Sequence, residues 1–192
     1  MSENKKKIKT VIFDTETTGL PKPMATTDLK DQPKIIELGI VVVEGEEVVG
    51  NHNWLIWPEE QISAEITKIT GIKNEDLVGC KTFQEIVDEV VAVFAGAEYA
   101  VAHNMQFDRS LLTLELRRIN ATGRSTGFKF PPNCICSVQE YHHLFGHRPT
   151  LKKLYEKATG SPLAQTHRAS DDAFALYESL LALGFFKDIC EV

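Results

Sequence analysis

The apolar positions of this chain divide it into a strand-rich first third and a helix-rich remainder. Residues 8–14 carry an apolar run, Val11-Ile12-Phe13, that closes on Asp14 and reads as a buried strand. Residues 35–43, from Ile35 to Val43, are rich in β-branched side chains. Glu44-Gly45-Glu46-Glu47 follows as a hairpin turn, and residues 48–57 return as a third strand. The pattern predicts an antiparallel meander of three strands. The intervening residues 20–33 hold three prolines and read as a loop, and residues 62–78 read as short helical turns. Thr82 with Glu85 three residues on has the form of a capping box. Phe83, Ile86, Val87, Val90, Val91 and Phe94 then recur at helical spacing. Tyr99 to His103 predicts a short strand, 106–119 a helix, and 121–133 a loop. Residues 134–138 predict a strand, 139–145 a short helix, and 150–159 and 170–183 two further helices. The order predicts an α/β fold, a mixed sheet with helices packed on it.

At 192 residues the chain is long enough for one domain with a substantial core, and a single domain over 1–192 is expected, with residues 1–7 as a polar tail. No apolar run is long enough to cross a membrane. The polar N-terminus lacks the apolar segment of a signal peptide, so a cytoplasmic location is expected by default. Cys80, Cys134, Cys136 and Cys190 follow no zinc spacing and read as free thiols, with Cys134 and Cys136 facing one side of their strand. The formal net charge of −6 argues against tight non-specific binding of duplex nucleic acid. Lys5, Lys6, Lys7 and Lys9 read as a solubilising tail. Arg117, Arg118, Arg124 and Lys129 fit a phosphate-facing patch or a solvated helix end equally well.

Asp14 and Glu16 are the most informative pair. Strand side chains alternate with period two, so both carboxylates point to the same face. Two like charges about 4 Å apart repel by about 4 kcal/mol at an effective dielectric near 20. Such a pair calls for a neutralising cation or a shared proton, and hard oxygen donors favour magnesium or manganese. Asp108 opens a helix after a short strand, where the helix dipole alone favours a carboxylate. His167 and Asp172 are five residues apart. On one continuous helix they would stand about 140° apart, so they converge only if His167 precedes the helix. Ser170 is the expected N-cap at which the chain turns, with Asp171 and Asp172 in the first turn. His142, His143 and His147 follow no partner pattern and read as structural.

Three segments together resemble the sequence motifs of the DEDDh, DnaQ-like 3′–5′ exonucleases. They are Asp14-x-Glu16-Thr17-Thr18-Gly19, His103-Asn104-x-x-Phe107-Asp108 and His167-x-Ala169-x-x-Asp172-Ala173, in that order. Ile69-Thr70-Gly71-Ile72 and the Leu151-Lys152-Lys153-Leu154 helix are similar to family features too, so the resemblance covers roughly residues 8–184. It implies an RNase H-like fold, a mixed five-stranded sheet flanked by helices. It also implies phosphodiester hydrolysis with two divalent ions, Mg2+ or Mn2+. Asp14, Glu16 and Asp172 would hold the first ion. Asp14 would bridge to the second, which Asp108 reaches directly or through water. His167 would be the general base, its ordinary pKa near about 6.5 suiting that task. The backbone at Thr17 would contact the 3′-terminal nucleotide and Leu20 would wedge against the last bases. His103 and Asn104 either line the site or hold the strand–helix turn.

The substrate implied is single-stranded or 3′-frayed nucleic acid, DNA before RNA, in proofreading or repair. A polymerase partner and a homodimer are both compatible with the family. The competing readings are an exoribonuclease trimming RNA 3′ ends, a metal phosphatase acting on small monoesters, and a non-catalytic nucleic-acid or polymerase-docking module. The last would be marked by loss of a carboxylate or of the histidine, and none is lost.

Overall fold

The computed structural model describes residues 7–24 and 26–190. The expectation for Lys5 and Lys6 lies outside them. Strands β1 (Lys9–Thr17), β2 (Ile35–Glu44), β3 (Glu47–Leu55), β4 (Tyr99–Ala102) and β5 (Asn133–Cys136) form one sheet in the order β3-β2-β1-β4-β5. The β1–β2 and β2–β3 pairs are antiparallel, and β1–β4 and β4–β5 are parallel. This is the mixed five-stranded sheet that the sequence predicts.

Helices cover both faces. Odd-numbered β1 residues Val11 and Phe13 face α3 (Phe83–Phe94) and α4 (Met105–Ala121), where Ile86, Val90, Leu111 and Leu112 fill the core. Ile12, on the other face, meets Val41, Val43 and Val101 beneath α6 (Leu151–Thr159), α7 (Ala169–Ala182) and α8 (Phe185–Cys190). A smaller cluster, Ile36, Ile62, Ile72 and Leu77, seats the short helices α1 (Ala64–Thr70) and α2 (Asn74–Leu77) beyond the end of β3. The Thr82 capping box forms, with the Thr82 amide donating to Glu85 at 2.7 Å. Cys134 and Cys136 both pack against the α3–α4 core, and the cysteines are free thiols.

Several boundaries differ from expectation. β1 runs on to Thr17, so Asp14 and Glu16 stand inside a paired strand, with a register shift only after Glu16. The polar Thr15-Glu16-Thr17 stretch gives no apolar signal, but pairing with Ile35–Leu38 carries it. Strand 134–138 ends at Cys136, because Ser137 and Val138 are buried at the start of α5 (Ser137–Glu140). The helix expected over 139–145 is that short helix followed by a 3-10 turn at His142–Leu144. α8, seated by buried Phe185 and Phe186, was not anticipated. The helix expected to begin after Ser170 has Arg168 as its N-cap instead, because buried Glu37 accepts from the Ala169 amide at 2.9 Å. No helix among the described residues is long and apolar enough to cross a membrane.

Candidate active site

Period two puts Asp14 and Glu16 on the sheet face that α7 covers, and the first turn of α7 brings Asp172 down onto them. One carboxylate oxygen from each of Asp14, Glu16 and Asp172 lies within 4.8 Å of the other two. They border an open cleft of about 460 Å3, which His103, Asn104, Gln165 and His167 also line. Each acid is raised above its ordinary pKa. Burial comes first in every case, followed for Asp14 by the charges of Asp108, Glu16 and Asp172. Glu16 is pushed up to about 8 by burial and by Asp172 and Glu37. Asp172 is raised by burial, against the pull of a hydrogen bond from Gln165 at 2.9 Å. Three mutually repelling hard oxygen donors on a partly solvated cleft are a donor set that suits a divalent cation, which would relieve the repulsion.

Asp108 is placed differently. It sits in the first turn of α4, on the opposite face of the sheet, and is 1% exposed. The Thr15 hydroxyl donates to its carboxylate at 2.8 Å. It is outside the three-oxygen cluster yet near enough that its charge is the second cause of the rise at Asp14. Burial pushes Asp108 itself up to about 7.

His167 is exposed and lies two residues before α7, with φ of 52°. Asn104, at the β4–α4 junction, has φ of 80°. Left-handed backbone is uncommon for residues with a Cβ and concentrates at functional sites. His103 is committed to structure. Its Nδ1 lies 2.8 Å from Ser137 Oγ and its Nε2 3.2 Å from the Pro149 carbonyl, and burial lowers its pKa to about 4. Asn104 Oδ1 accepts from Arg148 at 3.2 Å. The Thr17 hydroxyl turns to the Gly19 carbonyl at 2.8 Å, and Leu20 is 76% exposed at the rim.

The exonuclease family of the RNase T type matches residues 11–180. The chain belongs to this exonuclease family. The DNA polymerase III epsilon subunit of Treponema pallidum (strain Nichols) is 30% identical over 161 residues, 84% of this chain and 69% of the relative. The 3′-5′ exonuclease DinG of Bacillus subtilis (strain 168) is 30% identical over 165 residues. The PolC-type DNA polymerase III of Thermotoga maritima is 33% identical over 164 residues. Each of these two matches covers 85% of this chain, but the chain spans only 16% and 11% of those relatives. Among solved structures, exonuclease X in complex with 5′ overhanging duplex DNA superposes with TM-score 0.63 at 22% identity, covering 92% of this chain and 91% of the other. The nuclease domain of 3′hExo, a DEDDh family member bound to rAMP, gives 0.70 at 18% identity, covering 97% and 95%. These likenesses carry the fold, an RNase H-like exonuclease fold.

Two residues of β2, Glu37 and Gly39, also shape the site. Glu37 pairs directly across from Glu16 and is wholly buried. It accepts from Arg168 Nη2 at 2.7 Å and Nε at 3.0 Å, from the Ala169 amide at 2.9 Å and from Asn53 at 3.0 Å. That carboxylate on β2 thus supplies the cap to the first amide of α7, which is why the helix needs no serine at its start. Gly39 pairs across from Asp14, and a Cβ there would stand 2.3 Å from the Ala169 carbonyl carbon and the Ser170 nitrogen. Their signals in the sequence are a charged residue inside the apolar run 35–43 and a glycine inside a strand, which marks close backbone approach.

Proposed function

We propose that this chain is a metal-dependent 3′–5′ exonuclease that removes nucleotides from single-stranded or frayed DNA. The observation that carries this reading is the convergence of Asp14, Glu16 and Asp172 in a cleft with His167, in a chain of the exonuclease family. DNA is favoured because the relatives matched at 30% identity or more include DNA polymerase III proteins.

Asp14, Glu16 and Asp172 would hold one divalent ion, and Asp14 with Asp108 would serve a second. Bound there, two ions would stabilise the charge on the attacking and leaving oxygens of an in-line displacement. The Thr15 hydroxyl donates to Oδ1 of Asp108, and a carboxylate with that bond in place keeps acceptor capacity for an ion or its water. His167, exposed on the cleft wall, takes the proton of the attacking water on a ring nitrogen and passes it to solvent. The Thr17 backbone and the rim side chain of Leu20 hold the terminal nucleotide. Leu20 and the neighbouring Thr18 and Gly19 border a second hollow with Glu60–Ser63, which would take the terminal base.

The test uses single-stranded DNA, mismatched-end duplex and RNA, each labelled in turn at the 5′ and 3′ ends, with Mg2+ or Mn2+. A 5′-labelled ladder that shortens stepwise, together with immediate release of the 3′ label as mononucleotide, supports the reading. RNA shortened faster than DNA would replace it with the RNA-trimming reading. Release of phosphate from nucleotide monoesters without strand shortening would replace it with a phosphatase.

A further inference from the structure

Leu20 borders one hollow, and a second begins at the next residue. One borders Thr18, Gly19 and Leu20 on the side of Glu60–Ser63. The other, about 340 Å3, begins at Pro21 and lies between the 21–24 segment and the outer face of α4. Lys22 and Gln32 line both. A side chain that wedges between two bases needs a place for a base on each side, and only the first hollow is used by the function proposed above.

The α4 wall of the second hollow sets a polar stripe, Gln106, Arg109, Ser110, Thr113 and Arg117, beside buried Leu114. Their spacing of three and four residues puts them on one helix face. The stripe starts beside Asp108, whose own side chain points to Thr15, and runs away from the acid centre. Gln106 and Arg117 are eleven residue steps apart, about 16 Å along the helix axis. Arg109 and Arg117 face this hollow with Lys22, whose ammonium donates to the Asp31 carbonyl at 2.9 Å, and among the described residues no carboxylate lines it, in a chain of net charge −6. Arg109 is held by the Phe130 ring, 5.0 Å from its guanidinium carbon.

The opposite wall is fixed in place. Arg118 Nη2 donates to the carbonyls of Gln32 at 2.8 Å, Pro33 at 3.0 Å and Leu29 at 3.3 Å. Arg118 is paired at 2.9 Å with buried Glu115, which accepts from the Ile35 amide. The Gln32 amide group clasps both backbone groups of Lys22 at 2.9 Å. Leu29, Gln32 and Pro33 are therefore bolted to α4, carry Lys22 with them, and the segment forms a groove with that helix. Of the central basic residues, Arg118 and Arg124 are tied to the protein, Arg124 through Asp88 at 2.7 Å, while Arg117 faces the groove.

We propose that this groove holds the nucleotides 5′ to the scissile one, with Arg109, Arg117 and Lys22 gripping their phosphates and Pro21 and Met24 under their bases. The inference rests on the exonuclease reading and deepens it. A stacked strand advances about 3.4 Å per nucleotide, so the stripe spans about four to five nucleotides, fewer in an extended strand. The preferred substrate is then an unpaired strand of at least that length, not a dinucleotide.

The test compares KM and kcat on 5′-labelled single strands of two, four, six and twelve nucleotides, for the wild type and for the Arg109→Gln, Arg117→Gln double variant. Thermal melting of both proteins checks folding. For the wild type, KM should fall about tenfold or more between two and six nucleotides and then level off. In the double variant the length dependence should largely vanish. The slope of log KM against log salt on the twelve-mer should drop by about 1.4, since each lost phosphate contact on a single strand removes about 0.7. Lys22→Gln, on the opposite wall, should weaken the same length dependence. A wild type that shortens strands from the 3′ end while the folded double variant keeps the full length dependence and salt slope would overturn the groove alone. A wild type that shortens no strand would overturn the exonuclease reading and the groove with it.

Discussion

Replacing Gly39 with alanine tests whether the approach of α7 to β2 sets the acid centre. The added Cβ would lie 2.3 Å from the Ala169 carbonyl carbon and the Ser170 nitrogen, and 2.4 Å from the Ala169 oxygen. Ordinary contact begins near 3.4 Å, so the first turn of α7 must retreat by about 1 Å. All three atoms are backbone, so no side chain can swing aside. Ala169 lies two residues after His167 and three before Asp172, so both move with it. Overpacking of this kind costs about 1–3 kcal/mol, which for a chain of this size lowers Tm by roughly 2–4 °C per kcal/mol. Misplacing catalytic groups by about 1 Å costs on the order of 100-fold in rate. The assay is strand shortening at a temperature where circular dichroism finds the variant folded. A folded Gly39→Ala protein within threefold of wild-type kcat/KM would refute the reasoning.

Other predictions follow from the same geometry. Glu37→Gln should destabilise by about 2–4 kcal/mol in urea denaturation, because it breaks a pair whose carboxylate is wholly buried, with the cost held down by an Arg168 partner that can still reach water; a loss under 0.5 kcal/mol would count against the clamp. In metal-free protein, Glu16 near 8 and Asp108 near 7 are both raised, so the folded state binds protons that the unfolded state has released. Their stabilising protons are fully present below about pH 4 and lost as pH rises through 7 to 8. Metal-free Tm should therefore fall between pH 5 and 8.5, and Mg2+ or Mn2+ should raise it far more at pH 8 than at pH 5; equal rises at both would contradict the acid-centre account. His103, lowered to about 4, should stay neutral by NMR down to about pH 5, and an imidazole titrating between 6 and 7 would refute its buried structural role. Leu20→Ala, at a 76% exposed position, should change stability by under about 0.5 kcal/mol while reducing shortening of single strands several-fold; unchanged activity would remove the wedge.

The sheet was legible because β-branched runs and one hairpin turn specify pairing locally. The acid pair was legible because period two forces Asp14 and Glu16 to one face whatever the strand's length. What local pattern could not carry was contact between distant segments. The start of α7 is set by Glu37, more than a hundred residues away in sequence, rather than by Ser170 beside it. The side that Asp108 takes is set by the packing of α4 on the odd face of β1, which no spacing within the second motif reveals. Residues 20–33 read as a loop from their prolines, and Leu29, Gln32 and Pro33 within it are held by an arginine whose role the sequence left open.

The most direct test of the acid centre is the shortening of a 5′-labelled DNA strand by wild type and by Asp14→Asn, a variant that should fold at least as stably because it removes a carboxyl whose charged form is disfavoured by burial and by its acidic neighbours. The account predicts a 3′-shortened ladder for the wild type, abolished by EDTA, restored by Mn2+, and absent at every metal concentration in the variant. Shortening that survives in Asp14→Asn, or that persists in EDTA, would contradict the claim that Asp14, Glu16 and Asp172 hold the metal that does the work.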